Sequence, residues 1–244
     1  MALNPMHQFQ VYKIGPEINL GGINLSFTNA SLFMTISSIL ILSFLFFGTK
    51  KKSLIPSKIQ LITEMSYTFV AKMINDTAGS NAKSFFPFIF TLFMFVLFCN
   101  MVGMLPYSFT VTSHIIVTFA LASIVFVGVT IIGFIKHGIK YLELFVPKGV
   151  PVILLPLIII IEIISYLSRP VSLSVRLFAN MMAGHTMLKV FGGFVISLGL
   201  LGGWLPLSFS VALTGLEILV AFLQAYVFAI LTCIYLNDAL NLHH

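Results

Sequence analysis

Apolar runs as long as a lipid bilayer is thick recur along this chain, and they restrict its fold more than any other feature. Ala30 to Phe47 is almost wholly apolar and stops at Thr49-Lys50-Lys51-Lys52. Phe85 to Leu105 is a second such run, ending at Pro106, and Ile115 to Ile135 is a third, ending at Lys136-His137-Gly138. A hydrocarbon core of about 30 Å takes roughly 20 apolar residues in a helix, so each run is long enough to cross. Composition agrees: 59% of the 244 residues are apolar and 8% charged, against about 25% charged in an average soluble domain. The expected fold is all-α and integral to a membrane. No hydrophilic stretch is long enough to fold separately, which predicts one membrane domain over 1–244. The N-terminal segment, 1–29, carries Pro5, Lys13, Pro16 and Glu17 and lacks the basic start and short apolar core of a secretory signal.

Between the first two spans the pattern changes. Over 57–75, Ile62, Met65, Phe69 and Met73 fall on one helical face and Gln60, Glu64, Thr68 and Lys72 on the other, the signature of an amphipathic helix lying along the membrane surface. The loop between the spans at 85–105 and 115–135 has no Lys or Arg, whereas Lys83, Lys136, Lys140 and Lys148 fall on the same side as the first lysine cluster. That side is cytoplasmic or equivalent. The last third differs again. As one helix, 151–190 would be about 60 Å long, and 208–236 about 44 Å, both longer than the hydrocarbon layer. Gly192-Gly193, Gly199, Gly202-Gly203 and Pro206 separate the two and read as a turn region. The expected architecture is five crossings plus one surface helix, with the last two helices forming a steeply tilted hairpin and the termini on opposite faces.

A formal charge of +6 does not imply nucleic acid, because the lysines follow topology and form no basic patch. Cys99 and Cys233 sit inside apolar runs and read as small buried hydrophobes, so no disulfide, metal site or cofactor is expected. His114, His137, His243 and His244 lie near interfaces or the tail and read as solvated. Placing an Arg or Asp at mid-bilayer costs roughly 2.5 kcal/mol or more, so charged residues there are functional candidates by default. Glu162, Arg169 and Arg176 recur every seven residues and share one helical stripe, with Asn180 within about 40° of Arg176. Glu217, Gln224 and Asp238 form a stripe on the last helix, and the two stripes are able to line one path. His185 is half a turn out of phase with Arg176 on a straight helix and is expected to address a different cavity, unless Pro170 or Gly184 alters the phase. Two structural alternatives stand beside this reading: Arg176 and Glu217 as a buried ion pair, and Arg169 as a partner of local carbonyls or of Glu162.

The run Arg176-Leu177-Phe178-Ala179-Asn180-Met181-Met182-Ala183-Gly184-His185 closely resembles the signature of the subunit a family of F-type ATP synthases. Ser168-Arg169-Pro170-Val171-Ser172-Leu173, Leu223-Gln224-Ala225-Tyr226-Val227-Phe228, Asn100-Met101-Val102-Gly103-Met104-Leu105-Pro106 and Tyr235-Leu236-Asn237-Asp238-Ala239 resemble it too, so the likeness covers nearly the whole chain. The resemblance implies the stator half of a rotary proton channel with no ATP chemistry of its own, in keeping with the lack of a Gly-rich phosphate loop. By that likeness Arg176 is the gate facing the carboxylates of a rotating ring of c subunits. His185 and Glu217 would line the half-channel from the intermembrane or periplasmic side, and Glu162 the one to the matrix or cytoplasm. Asn180 and Gln224 would tune the cleft by hydrogen bonding, with Arg169 in a secondary part. Implied partners are the c-ring, peripheral-stalk subunits of the b type, lipid and protons. His at 185 with Glu at 217 is the arrangement of mitochondrial and alphaproteobacterial members, which favours the mitochondrial inner membrane, with a bacterial inner membrane as the alternative. Two other classes remain to be weighed: a secondary transporter with a site at Arg176, against which the absence of paired repeats counts, and a purely structural scaffold.

Overall fold

The computed structural model describes residues 8–14, 19–20, 23–24, 26–50, 56–105, 108–146 and 154–241. Pro5, Pro16, Glu17, Lys51, Lys52, Pro106, Lys148, Pro151, His243 and His244, used above to set boundaries and topology, lie outside the described residues. Among the described residues six α-helices carry the fold: α1 Asn29–Thr49, α2 Lys58–Ala78, α3 Phe86–Gly103, α4 Ile115–His137, α5 Leu155–Gly202 and α6 Trp204–Leu240. Before α1, among the described residues, β1 Asn19–Leu20 pairs with β2 Ile23–Asn24 in a two-residue ladder and Lys13 bridges Thr28. Among the described residues, five stretches are long and apolar enough to cross a membrane: Asn29–Thr49, Ala82–Gly103, Ile115–Leu142, Leu155–Gly199 and Trp204–Leu240. The all-α integral membrane fold expected from the sequence is therefore the one formed.

Local signals explain the boundaries. Thr28 and Ser57 accept from the backbone N–H groups of Ser31 and Gln60, capping α1 and α2. The turn between the last two helices is shorter than expected. Gly192 and Gly193 stay helical, as glycine often does within the membrane, and Pro206 sits in the first turn of α6, where no intrahelical N–H is required. The break itself is at Gly199, whose φ of 60° is open to glycine and strained for other residues.

In lipid, helices associate through close packing and interhelical hydrogen bonds, without the hydrophobic drive that works in water. α6 is the hub, packing on α2, α3, α4 and α5, and its inner face is rich in small residues, Ala221, Ala225, Ala229, Cys233 and Ala239, all fully buried. Asn100 on α3, itself buried, donates to the Ala221 carbonyl at 3.1 Å and accepts from Thr112 at 2.8 Å. At the other end Lys136 Nζ donates to the Leu240 carbonyl at 2.9 Å, so α4 and α6 finish together on the lysine-rich side. That agrees with the alternation derived from the positive residues. On α2 the expected apolar stripe divides: Ile62 and Met65 are exposed, whereas Phe69 packs on the rings of Phe93, Phe222 and Tyr226 and Met73 is buried, with Gln60, Thr63, Val70 and Ile74 also facing the bundle.

Candidate functional site

α5 has one packed face and one bare face. Leu173, Leu177 and Met181, spaced by four, are buried against the bundle, whereas Arg176, Ala179, Asn180 and Ala183 are exposed. Arg176 makes no hydrogen bond or ion pair with another described residue. The pairing of Arg176 with Glu217 weighed above is not formed. Further along the same side a shallow groove of about 570 Å³ runs over Phe178, Ala179, Met182, Ala183, Thr186 and Met187.

Toward the end where the N-terminal segment and the α3–α4 loop meet, His185 turns inward, half a turn away from Arg176 as its spacing requires. Its Nδ1 is 3.4 Å from Glu217 Oε1 on α6, and its Nε2 is 2.9 Å from the Thr110 hydroxyl. Glu217 is 4% exposed, and neither carboxyl oxygen has a well-formed hydrogen bond among the described residues. Gly184 is what lets the carboxylate in: a Cβ there would sit 2.6 Å from Glu217 Oε1. His185, Thr110 and Thr214 share a cavity of about 890 Å³ with Lys189, Asn29 and Tyr12. The N-terminal segment is tied over it by hydrogen bonds from the Asn29 backbone N–H to the Tyr12 carbonyl and from Asn29 Nδ2 to the Gln10 carbonyl. In the adjoining loop His114 stacks on Phe109 with ring centroids 4.9 Å apart, and burial pushes its imidazole below the usual histidine range.

Toward the opposite end Arg169 forms the second polar cluster. Its Nη1 is 3.0 Å from Asp238 Oδ2, and its guanidinium lies over the rings of Tyr166 and Tyr235 at 5.4 and 5.1 Å. The Tyr166 hydroxyl continues the network to Thr130 at 2.6 Å and to Tyr141 at 3.0 Å. Arg169 therefore pairs across to α6, and the local pairing with Glu162 weighed as an alternative does not form; Glu162 is half-buried further toward the start of α5. The two polar stripes do not meet as one continuous path. They form two separate clusters, Glu217 with His185 and Asp238 with Arg169, and Gln224 is buried on α6 between them in sequence. Thr110, Tyr141 and Thr130 were not legible as site residues, since an uncharged hydroxyl in a loop or an apolar helix leaves no spacing signal.

The sequence matches the family described as ATP synthase A chain over residues 31–237. A Pelagibacter ubique protein named ATP synthase subunit a is 80% identical over 244 residues, all of both chains. Proteins of the same name are 60% identical over 250 residues in a Chelativorans species, covering both chains fully. In Rhizobium rhizogenes the figure is 62% over 247 residues, 99% of this chain and 98% of that one. These relatives are alphaproteobacterial.

Proposed function

Because the chain belongs to the ATP synthase A chain family, a proton-translocating stator component without catalysis of its own, we propose that Arg176 is the gate of its proton path. The transporter reading finds no support in that membership. The observation that supports the gate is the position of Arg176: bare on α5, without a partner among the described residues, and lengthwise between the His185–Glu217 and Arg169–Asp238 clusters. A guanidinium stays protonated at any working pH and cannot relay a proton. It can attract an ionised carboxylate on a c-ring turning past the bare face. Once protonated, that carboxyl is neutral, loses its hold on Arg176 and can rotate into lipid.

On this reading His185 and Glu217 take protons from the large cavity on the N-terminal side, and Glu162 releases them on the lysine-rich side. Asn180, exposed next to Arg176, and Gln224, buried on α6, tune the cleft by hydrogen bonding. Arg169 holds α5 to α6 through Asp238. All six helices serve one membrane domain, and peripheral-stalk subunits cover part of its outer surface. The membrane is a bacterial inner membrane: the relatives are bacterial, and the mitochondrial location favoured by His185 and Glu217 has no support among them.

The test is Arg176→Ala in the assembled synthase, reconstituted in liposomes under an imposed pH gradient. ATP synthesis is expected to vanish while the subunit remains in the complex. Synthesis at the parental rate would remove the gate from the mechanism.

A further inference from the structure

The loop between α3 and α4 sends one uncharged side chain into the His185–Glu217 cluster. Thr110 is 5% exposed, and its hydroxyl oxygen is 2.9 Å from His185 Nε2 and 3.3 Å from the Gly103 carbonyl oxygen. A hydroxyl has a single hydrogen and two lone pairs, so that hydrogen can go to the imidazole or to the carbonyl, one at a time. Gly103 makes the approach possible, since a Cβ at that position would stand 2.8 Å from Thr110 Cγ2 and 3.1 Å from Oγ1. Across the ring, Nδ1 faces Glu217 Oε1. Among the described residues the other titratable groups lining the same cavity are Lys189 on α5 and Tyr12 of the N-terminal segment, and His114 stacks on Phe109 of that lining.

We propose that Thr110 is a positioning residue for proton uptake, keeping the His185 ring aimed at Glu217 in both the neutral and the cationic state by turning its one hydrogen between Nε2 and the Gly103 carbonyl. The inference rests on His185 and Glu217 being the uptake relay. With the ring neutral and its hydrogen on Nδ1, that N–H points at the Glu217 carboxylate and Nε2 accepts from Thr110. When a proton from cavity water binds Nε2, the new N–H donates to the Thr110 oxygen and the hydroxyl hydrogen swings to Gly103. Transfer then breaks the Nδ1–H bond, whose electron pair stays on nitrogen, and an Oε1 lone pair of Glu217 takes the proton. This single transfer leaves the ring neutral with its hydrogen on Nε2, still held by the same hydroxyl; before the next proton is taken up, exchange with cavity water must return the ring to the tautomer with its hydrogen on Nδ1. An apolar side chain of the same shape can make neither contact. The ring is then free to swing out of line with Glu217, and a small misalignment slows transfer steeply.

The experiment uses the complete synthase in liposomes, with proton uptake driven by a potassium diffusion potential. Thr110→Val is expected to conduct about tenfold more slowly than the parent, and Thr110→Ser, which keeps the hydroxyl, at close to the parental rate. Parental conduction in Thr110→Val, or equal losses in the valine and serine variants, would overturn the proposal. If the valine complex fails to retain membrane-bound ATPase activity, Thr110→Ala is compared with Thr110→Ser in its place. Glu217→Gln in the same vesicles separates the two levels. Normal conduction in Glu217→Gln sinks the relay itself, whereas blocked conduction there with a fast Thr110→Val sinks the positioning role alone.

Discussion

Gly184→Ala is the smallest change that should disable the uptake side without removing any polar group. The added methyl carbon would lie 2.6 Å from Glu217 Oε1, 2.9 Å from Cδ and 3.2 Å from Cγ. Ordinary contact needs about 3.4 Å or more, so the carboxyl must leave its present place by about 0.8 Å. Its distance from His185 Nδ1 is 3.4 Å now, already at the outer edge of a useful hydrogen bond. Displacements of about 1 Å in a transfer geometry cost up to roughly a hundredfold in rate, so proton conduction should fall by about ten- to a hundredfold. The helix itself should not suffer, because alanine is the better helix former by about 1 kcal/mol. Passive proton uptake into vesicles holding the assembled synthase measures the first effect, and membrane-bound ATPase activity measures the second. Parental uptake in Gly184→Ala would show that Glu217 need not stand where it does, and the relay geometry would be wrong.

Two further outcomes test the packing. Asn100→Leu removes the bonds to the Ala221 carbonyl and Thr112 at a cost of about 1–2 kcal/mol, so the complex should lose activity on heating at a lower temperature; an unchanged inactivation temperature would refute this. Arg169 and Asp238 are 23% and 34% exposed, so their pairing contributes about 1 kcal/mol or less after solvent screening. In a double-mutant cycle the exchange Arg169→Asp with Asp238→Arg should recover part of the subunit retention lost in each single variant, and strictly additive losses would mean the pair is not coupled.

The membrane-crossing segments were readable because length and apolarity alone decide whether a helix can span. Phase was readable over short distances. A separation of nine positions puts Arg176 and His185 on opposite sides, and α5 does turn one outward and the other toward α6. Over longer distances a shared stripe says nothing of a shared site: Glu217 and Asp238 lie 21 residues apart on α6, about 32 Å along the axis, and the two join different clusters. The glycines between α5 and α6 were ambiguous for a related reason. Within lipid a helix tolerates glycine, and only backbone geometry singles out Gly199 among them. The partner of Arg169 lies 69 residues away on another helix, a choice that tertiary packing makes and spacing cannot.

The 45 residues of Leu155–Gly199 measure about 67 Å along the axis, more than twice a hydrocarbon layer of about 30 Å. To stay within that layer the axis must lie at roughly 60° to the normal, so each residue travels farther sideways than it descends. Sixteen positions, from Arg169 to His185, then correspond to about 20 Å of lateral travel. If a rotor turns past the bare face of α5 as proposed, it would meet the two ends of that helix at different angles of its circle, and the length of a single helix would set how far it turns between loading and discharge.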